Sequence, residues 1–126
     1  MLKRIALAAA AALGVAGPAA ADPVHGTWRS QPGETGGYIH VRIGSCGATI
    51  CGEITEVVGN DNQSIVGRAI IWDMQPQGGG EYRGGRIWAP DQDKTYNSKM
   101  SLSGNRLEVE GCVAVFCRGQ TWTRIN

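Results

Sequence analysis

Hydrophobic positions along this chain fall into two regimes. From Ile5 to Gly17 they run almost unbroken and are dominated by alanine. Beyond residue 25 they alternate with polar positions over short stretches, broken by glycine, proline, asparagine and aspartate. Alternation of period two marks a strand with one buried face and one solvated face. It is clearest over 38–44, where Ile39, Val41 and Ile43 share one face and Tyr38, His40 and Arg42 the other. It returns at 95–103, with Tyr96, Ser98, Met100 and Leu102 in phase, and at 106–113. There Leu107 and Val109 are expected inward and Arg106, Glu108 and Glu110 outward. The full pattern predicts strands over 26–30, 38–44, 50–58, 68–74, 81–89, 95–103, 106–113 and 116–125, with no helix among them. Turn chemistry separates them. Gly104-Asn105 is a two-residue hairpin signal, Pro90-Asp91-Gln92-Asp93 reads as a turn, and Gly78-Gly79-Gly80 forms a loop.

Short strands at regular spacing with tight connections indicate an all-β fold. With eight strands in meander order, a small antiparallel up-and-down β-barrel is expected, because closure removes exposed sheet edges. The interior of such a barrel is just wide enough to be filled by side chains or to hold one small ligand.

The alanine-rich regime has a different meaning. Lys3 and Arg4 precede it, Ala19-Ala20-Ala21 follow it, and Asp22 begins the polar chain. A basic start, an apolar stretch and small residues at the end make a cleavable secretory signal. The run is shorter than the roughly 20 apolar residues of a spanning helix and ends in Gly17-Pro18. Residues 1–21 are therefore read as a signal peptide and 22–126 as a single barrel domain, periplasmic or secreted, with no membrane span in the mature chain. Loss of Lys3 and Arg4 moves the formal charge from +1 to −1. A near-neutral domain without a basic block does not fit nucleic-acid or anionic-lipid binding. Arg83 and Arg86 are the nearest approach to a basic patch, but two charges make a weak one and they read as solvated strand positions.

The cysteines form two C-x4-C pairs, CGATIC at 46–51 and CVAVFC at 112–117. An even number in an exported chain implies disulfides. Each pair flanks a short hairpin loop, which favours Cys46 with Cys51 and Cys112 with Cys117. Links between the two pairs become plausible if both hairpins meet at one end of the barrel. The spacing is permissible for zinc but not diagnostic of it, and C-x-x-C is absent. No metal or cofactor is expected.

Two short pieces at the ends of the mature chain belong together. His25-Gly26-Thr27-Trp28-Arg29 contains G-x-W, and Gln120-Thr121-Trp122-Thr123-Arg124 closes the chain. The pairing resembles the calycin superfamily of small barrels, which includes lipocalins and avidins. CGATICGEI at 46–54, GGRIWAPDQDKTY at 84–96, and GC at 111–112 with CRGQTWTR at 117–124 extend the likeness. Together they resemble a family of small exported bacterial proteins known as domain of unknown function 2147, over nearly all of Gly26 to Arg124. The resemblance implies a lipocalin-like barrel in which Trp28 packs at the base and Arg124 covers it, with Gly26 and Trp122 also structural. It implies no mechanism.

Trp72, Trp88 and Tyr96 lie on consecutive predicted strands, with Arg86 and Asp73 beside them. Aromatic walls with a few polar groups describe a small-molecule site, so Trp72, Trp88, Tyr96 and Arg86 are the candidate ligand-binding residues. Packing inside the barrel is the competing role for the rings. No catalytic residue is expected. His25 and His40 have no evident serine, cysteine or acidic partner, and neither G-x-S-x-G nor H-E-x-x-H occurs. Glu53 and Glu56, three apart in a strand, should face opposite sides. Asp91 to Tyr96 lacks the ligands of a calcium loop. Three functions follow in order: a non-enzymatic module binding a small apolar or amphipathic molecule; a protein-binding barrel or inhibitor acting through the short arm Asp22–His25 or the loops at 31–37, 59–67 and 75–80; and a pocketless structural or stress protein of the envelope.

Overall fold

The computed structural model describes residues 22–126; the expected signal peptide lies outside the described residues. Eight strands follow in order: β1 Gly26–Arg29, β2 Tyr38–Cys46, β3 Thr49–Val58, β4 Ala69–Gly78, β5 Glu81–Ala89, β6 Lys94–Ser103, β7 Arg106–Val113 and β8 Phe116–Arg124. One 3₁₀ turn, Gln63–Ile65, interrupts the β3–β4 loop. The strands form a closed barrel in chain order. Every neighbour is antiparallel, and β8 returns to β1 through Trp28 opposite Arg124 and Arg29 opposite Thr123. The alternation seen in the sequence specifies this arrangement: Val41, Ile43, Ile50, Ile54, Ile71, Met100, Leu107 and Val109 are all buried.

One end of the barrel is shut by side chains. Trp28 is wholly buried, and its indole N–H donates to the Val24 carbonyl at 2.9 Å. The Arg124 guanidinium lies 4.4 Å from the centre of the Trp28 ring, a cation–π contact. Its nitrogens donate to the carbonyls of His25 (2.9 Å) and Pro23 (2.6 Å) and to the Asn105 side chain (3.0 Å). Gly26 is required here. Its φ is +142°, and a Cβ would fall 2.6 Å from the Asn126 carbonyl oxygen and 2.9 Å from Arg124 Nη1. Trp122 is buried beside Leu107, its cross-strand partner. The segment 22–25 is docked rather than free: Val24 is fully buried, and Tyr82 donates its hydroxyl to the Asp22 carboxylate. Burial first, and then that bond, push the Tyr82 phenol well above its ordinary range.

The middle of the barrel is also full. Gly52 admits the opposing walls: a Cβ there would sit 2.8 Å from Val41 Cγ1 and 2.9 Å from Ile71 Cγ1. Register shifts along β3, β4 and β5 insert extra residues at several points. Each such bulge re-aims the side chains beyond it.

The two disulfides are Cys46–Cys51 and Cys112–Cys117. The strands run deeper into both hairpins than the sequence suggests, so the turns are Gly47-Ala48 and Ala114-Val115. The first hairpin lies at the shut end with both chain ends of the barrel. The second lies at the opposite end. The topology thus removes the reason for any link between the two pairs.

Candidate functional site

The open end carries the β1–β2 loop, the β3–β4 loop, the β5–β6 turn and the β7–β8 hairpin. Its floor is set by Ile54 and Ile71, both fully buried. Above them Ile39, Ile87 and Tyr96 are only half-buried, although Ile39 and Ile87 pack against the same core. Ile87 pairs with Ile71 on one side and Tyr96 on the other, so all three share the inward face. Gly111 lies beside them; a Cβ there would approach Ile87 Cγ2 at 3.3 Å.

The β7–β8 hairpin continues past this rim. The last β6–β7 pair is Asn97 with Cys112, and beyond it Val113 pairs only with Phe116. Two residues on from Gly111, Val113 keeps the inward orientation, as does Phe116 opposite it. Neither has a wall to cover it: Val113 is 61% exposed, Phe116 78% and Val115, at the tip, 86%. With Val66 in the β3–β4 loop, four of the five large exposed apolar side chains among the described residues stand at this end. The Cys112–Cys117 bond, across a directly opposed pair, holds the hairpin in shape.

A seam runs down from the same hairpin. The Arg124 N–H donates to Asn105 in the β6–β7 turn, whereas those of Thr121 and Ile125 donate to Gln31 and Thr27. Odd-numbered backbone groups of β8 therefore face β1. Pairing with β1 ends at Thr123, so Cys117 and Gly119 present backbone groups to solvent with no partner among the described residues.

The four candidate ligand residues do not form one site. Tyr96 faces the mouth, and its hydroxyl donates to Gln92. Trp88, next along from Ile87, turns away from that face and is 6% exposed. Its ring is covered by the Arg68 guanidinium at 3.6 Å, and its N–H donates to Asp93 at 2.9 Å. It ties the β3–β4 loop to the β5–β6 turn. Trp72 and Arg86 are cross-strand partners on the outer wall. Asp73, beside Trp72, is exposed with φ +59° at a register shift and does not enter the mouth. Bulges account for the difference, since one inserted residue reverses every face after it.

Three further expectations change. Glu53 and Glu56 both face outward, because Thr55 is an extra residue between the pairs Val41–Ile54 and His40–Glu56. His40 does have an acidic partner, Glu56, at 3.0 Å. His25 lies 3.2 Å from the Ser45 hydroxyl. Both contacts join positions far apart in sequence, which motif reading does not reach. Neither histidine gains a third member of a triad: no carboxylate lies within 4 Å of His25, and no serine or cysteine bonds His40, among the described residues. Glu110 clusters with Cys112 and Cys117, but those sulfurs are consumed in the disulfide and offer no thiolate to a metal.

The model of a family described as an uncharacterised protein conserved in bacteria, DUF2147, matches residues 26–124. Among solved structures the chain is similar to one described as protein HP1028 from the human pathogen Helicobacter pylori, belonging to the lipocalin family. The two share 18% identity at a TM-score of 0.68, over 81% of this chain and 82% of that one. At that identity the likeness is one of fold. No curated protein matches the chain.

Proposed function

The chain belongs to the bacterial family DUF2147, and from that premise we propose that it is a non-enzymatic binding module of the cell envelope, taking a small apolar or amphipathic molecule at the open end of the barrel. One observation carries this reading. The inward-facing Val113 and Phe116 stand exposed above the half-buried Ile39, Ile87 and Tyr96. An apolar surface that continues a core outward and is left uncovered suits an apolar ligand. The filled middle favours a ligand seated on the rim rather than swallowed by the barrel. The lipocalin-like fold agrees, although fold alone does not define function. Both disulfides suit an oxidising compartment, periplasmic or extracellular.

A titration with a neutral fluorescent apolar probe such as N-phenyl-1-naphthylamine tests the proposal. Burying one large apolar side chain is worth about 1.5–3 kcal/mol. Phe116→Ser should therefore weaken binding by roughly ten- to a hundredfold, while Ile125→Ser, an exposed apolar side chain at the shut end, changes it little. Equal affinity in wild type and Phe116→Ser would exclude the rim as the site.

The free backbone of Cys117 and Gly119 supports a second reading, a protein partner. An extended segment adding to this edge would form main-chain hydrogen bonds beside the apolar hairpin. The docked segment 22–25 makes the N-terminal arm an unsuitable inhibitory element, so such a partner would meet β8 and the hairpin. A crosslinked partner mapping to 116–120 would favour this reading over the first.

A further inference from the structure

The outer wall carries a second feature, which reaches up to Cys112 at the base of the rim hairpin. Arg83, Gly84, Arg86, Asn97 and Lys99 line one depression between β5 and β6, with a volume of about 270 Å³. The register makes it. Tyr82 pairs with Met100 and Gly85 with Ser98, so β5 has one residue more than β6 at 83–84. Gly84 takes φ +75° there, a conformation glycine enters without strain. The extra residue falls out of the ladder, which leaves backbone N–H available at the bulge.

Three cations converge on this hollow without acidic partners. Among the described residues, neither Arg83, Arg86 nor Lys99 has a carboxylate within 4 Å. The nearest acids by register are Glu110, across from Lys99, Asp73, beside Trp72, and Glu81, two residues before Arg83, whose carboxylate accepts from the Ser101 hydroxyl. Arg86 has the Asn97 amide on one side and the half-buried Trp72 ring on the other. Like charges gathered at one place repel, and an anion between them removes that cost. Guanidinium forks match planar pairs of oxygens on phosphate or carboxylate. Two forks, an ammonium and an amide favour the group with more oxygens and more charge.

We propose that this depression binds a phosphate group, with Arg83, Arg86 and Lys99 neutralising it and Asn97 donating a further hydrogen bond. The same chemistry is offered by a small phosphorylated metabolite and by a phospholipid headgroup.

Calorimetric titration of the disulfide-bonded protein with inorganic phosphate at low salt tests the site. Saturable binding is expected, weakened about tenfold or more in Arg83→Gln/Arg86→Gln and by added sodium chloride. Arg106→Gln, an exposed cation at the shut end, should leave it within about twofold. Thermal unfolding of the double variant checks that the barrel persists, as expected for two exposed side chains. A parallel arm uses phosphatidylglycerol vesicles in sedimentation. Retention that the double variant loses identifies a headgroup as the source, and phosphate binding without retention identifies a soluble compound. Absence of both, or binding that the double variant keeps, overturns the proposal.

Discussion

Replacing Trp28 with alanine removes the side chain that shuts the barrel, and its cost can be worked from its surroundings. Trp28 is fully buried, donates to Val24 and lies under Arg124. A buried tryptophan removes about 150–250 Å² from water, worth about 4–6 kcal/mol at 25 cal/mol per Å². The Cβ that alanine retains and the compactness of real unfolded chains bring this to about 3–5 kcal/mol. Loss of the hydrogen bond leaves the Val24 carbonyl without its partner and adds about 1 kcal/mol. A loss of about 4–6 kcal/mol is expected, most of the stability of a small domain. Urea unfolding followed by far-ultraviolet circular dichroism measures it. Trp28→Phe keeps an aromatic ring and loses the donor, so it should cost less, about 1–3 kcal/mol. If Trp28→Ala costs under about 1 kcal/mol, the shut end does not depend on this residue and the account of the core fails.

Gly52→Ala should destabilise by about 1–3 kcal/mol, since its methyl group would press on Val41 and Ile71; an unchanged urea midpoint would show that the middle is looser than described. The Tyr82 phenol stays protonated in the fold to higher pH than in the unfolded chain. Its contribution is therefore complete below about pH 10, the ordinary tyrosine value, and is lost as pH rises beyond it. Tyr82→Phe should flatten the alkaline fall in stability, and an identical pH profile would contradict the assignment. Peptide mapping without reduction should recover Cys46 linked to Cys51 and Cys112 linked to Cys117, with no free thiol. Reduction should cost about 2 kcal/mol per bridge, and a Cys46–Cys112 link would be incompatible with hairpins at opposite ends.

Much of this fold is legible in the sequence because local rules and the global fold agree. The alternation at Ile39, Val41 and Ile43, the Gly104-Asn105 turn and the Leu107 and Val109 pair each specify a strand or a connection directly. The same rules lose track of facing wherever a bulge inserts a residue. Trp72 and Arg86 fall on the outer wall, and Glu53 and Glu56 on a common one, for that reason. Nothing local in the sequence marks Thr55 as a bulge, whereas the successive glycines at 84 and 85 do hint at one. The pairings His25–Ser45 and His40–Glu56 depend on register between strands. The apolar rim was within reach: CVAVFC places three large apolar residues in one hairpin, but their exposure follows from the β6–β7 ladder ending one pair earlier. The β8 seam likewise follows from the shortness of β1, which only the assembled barrel reveals.

Native mass spectrometry of the protein, isolated gently from the cells that make it, tests whether the rim holds a small molecule. The account predicts a reproducible small-mass adduct on the wild-type chain and its loss from Val113→Ser/Phe116→Ser. A bare chain in both preparations, or a co-isolated protein in place of the adduct, would contradict it.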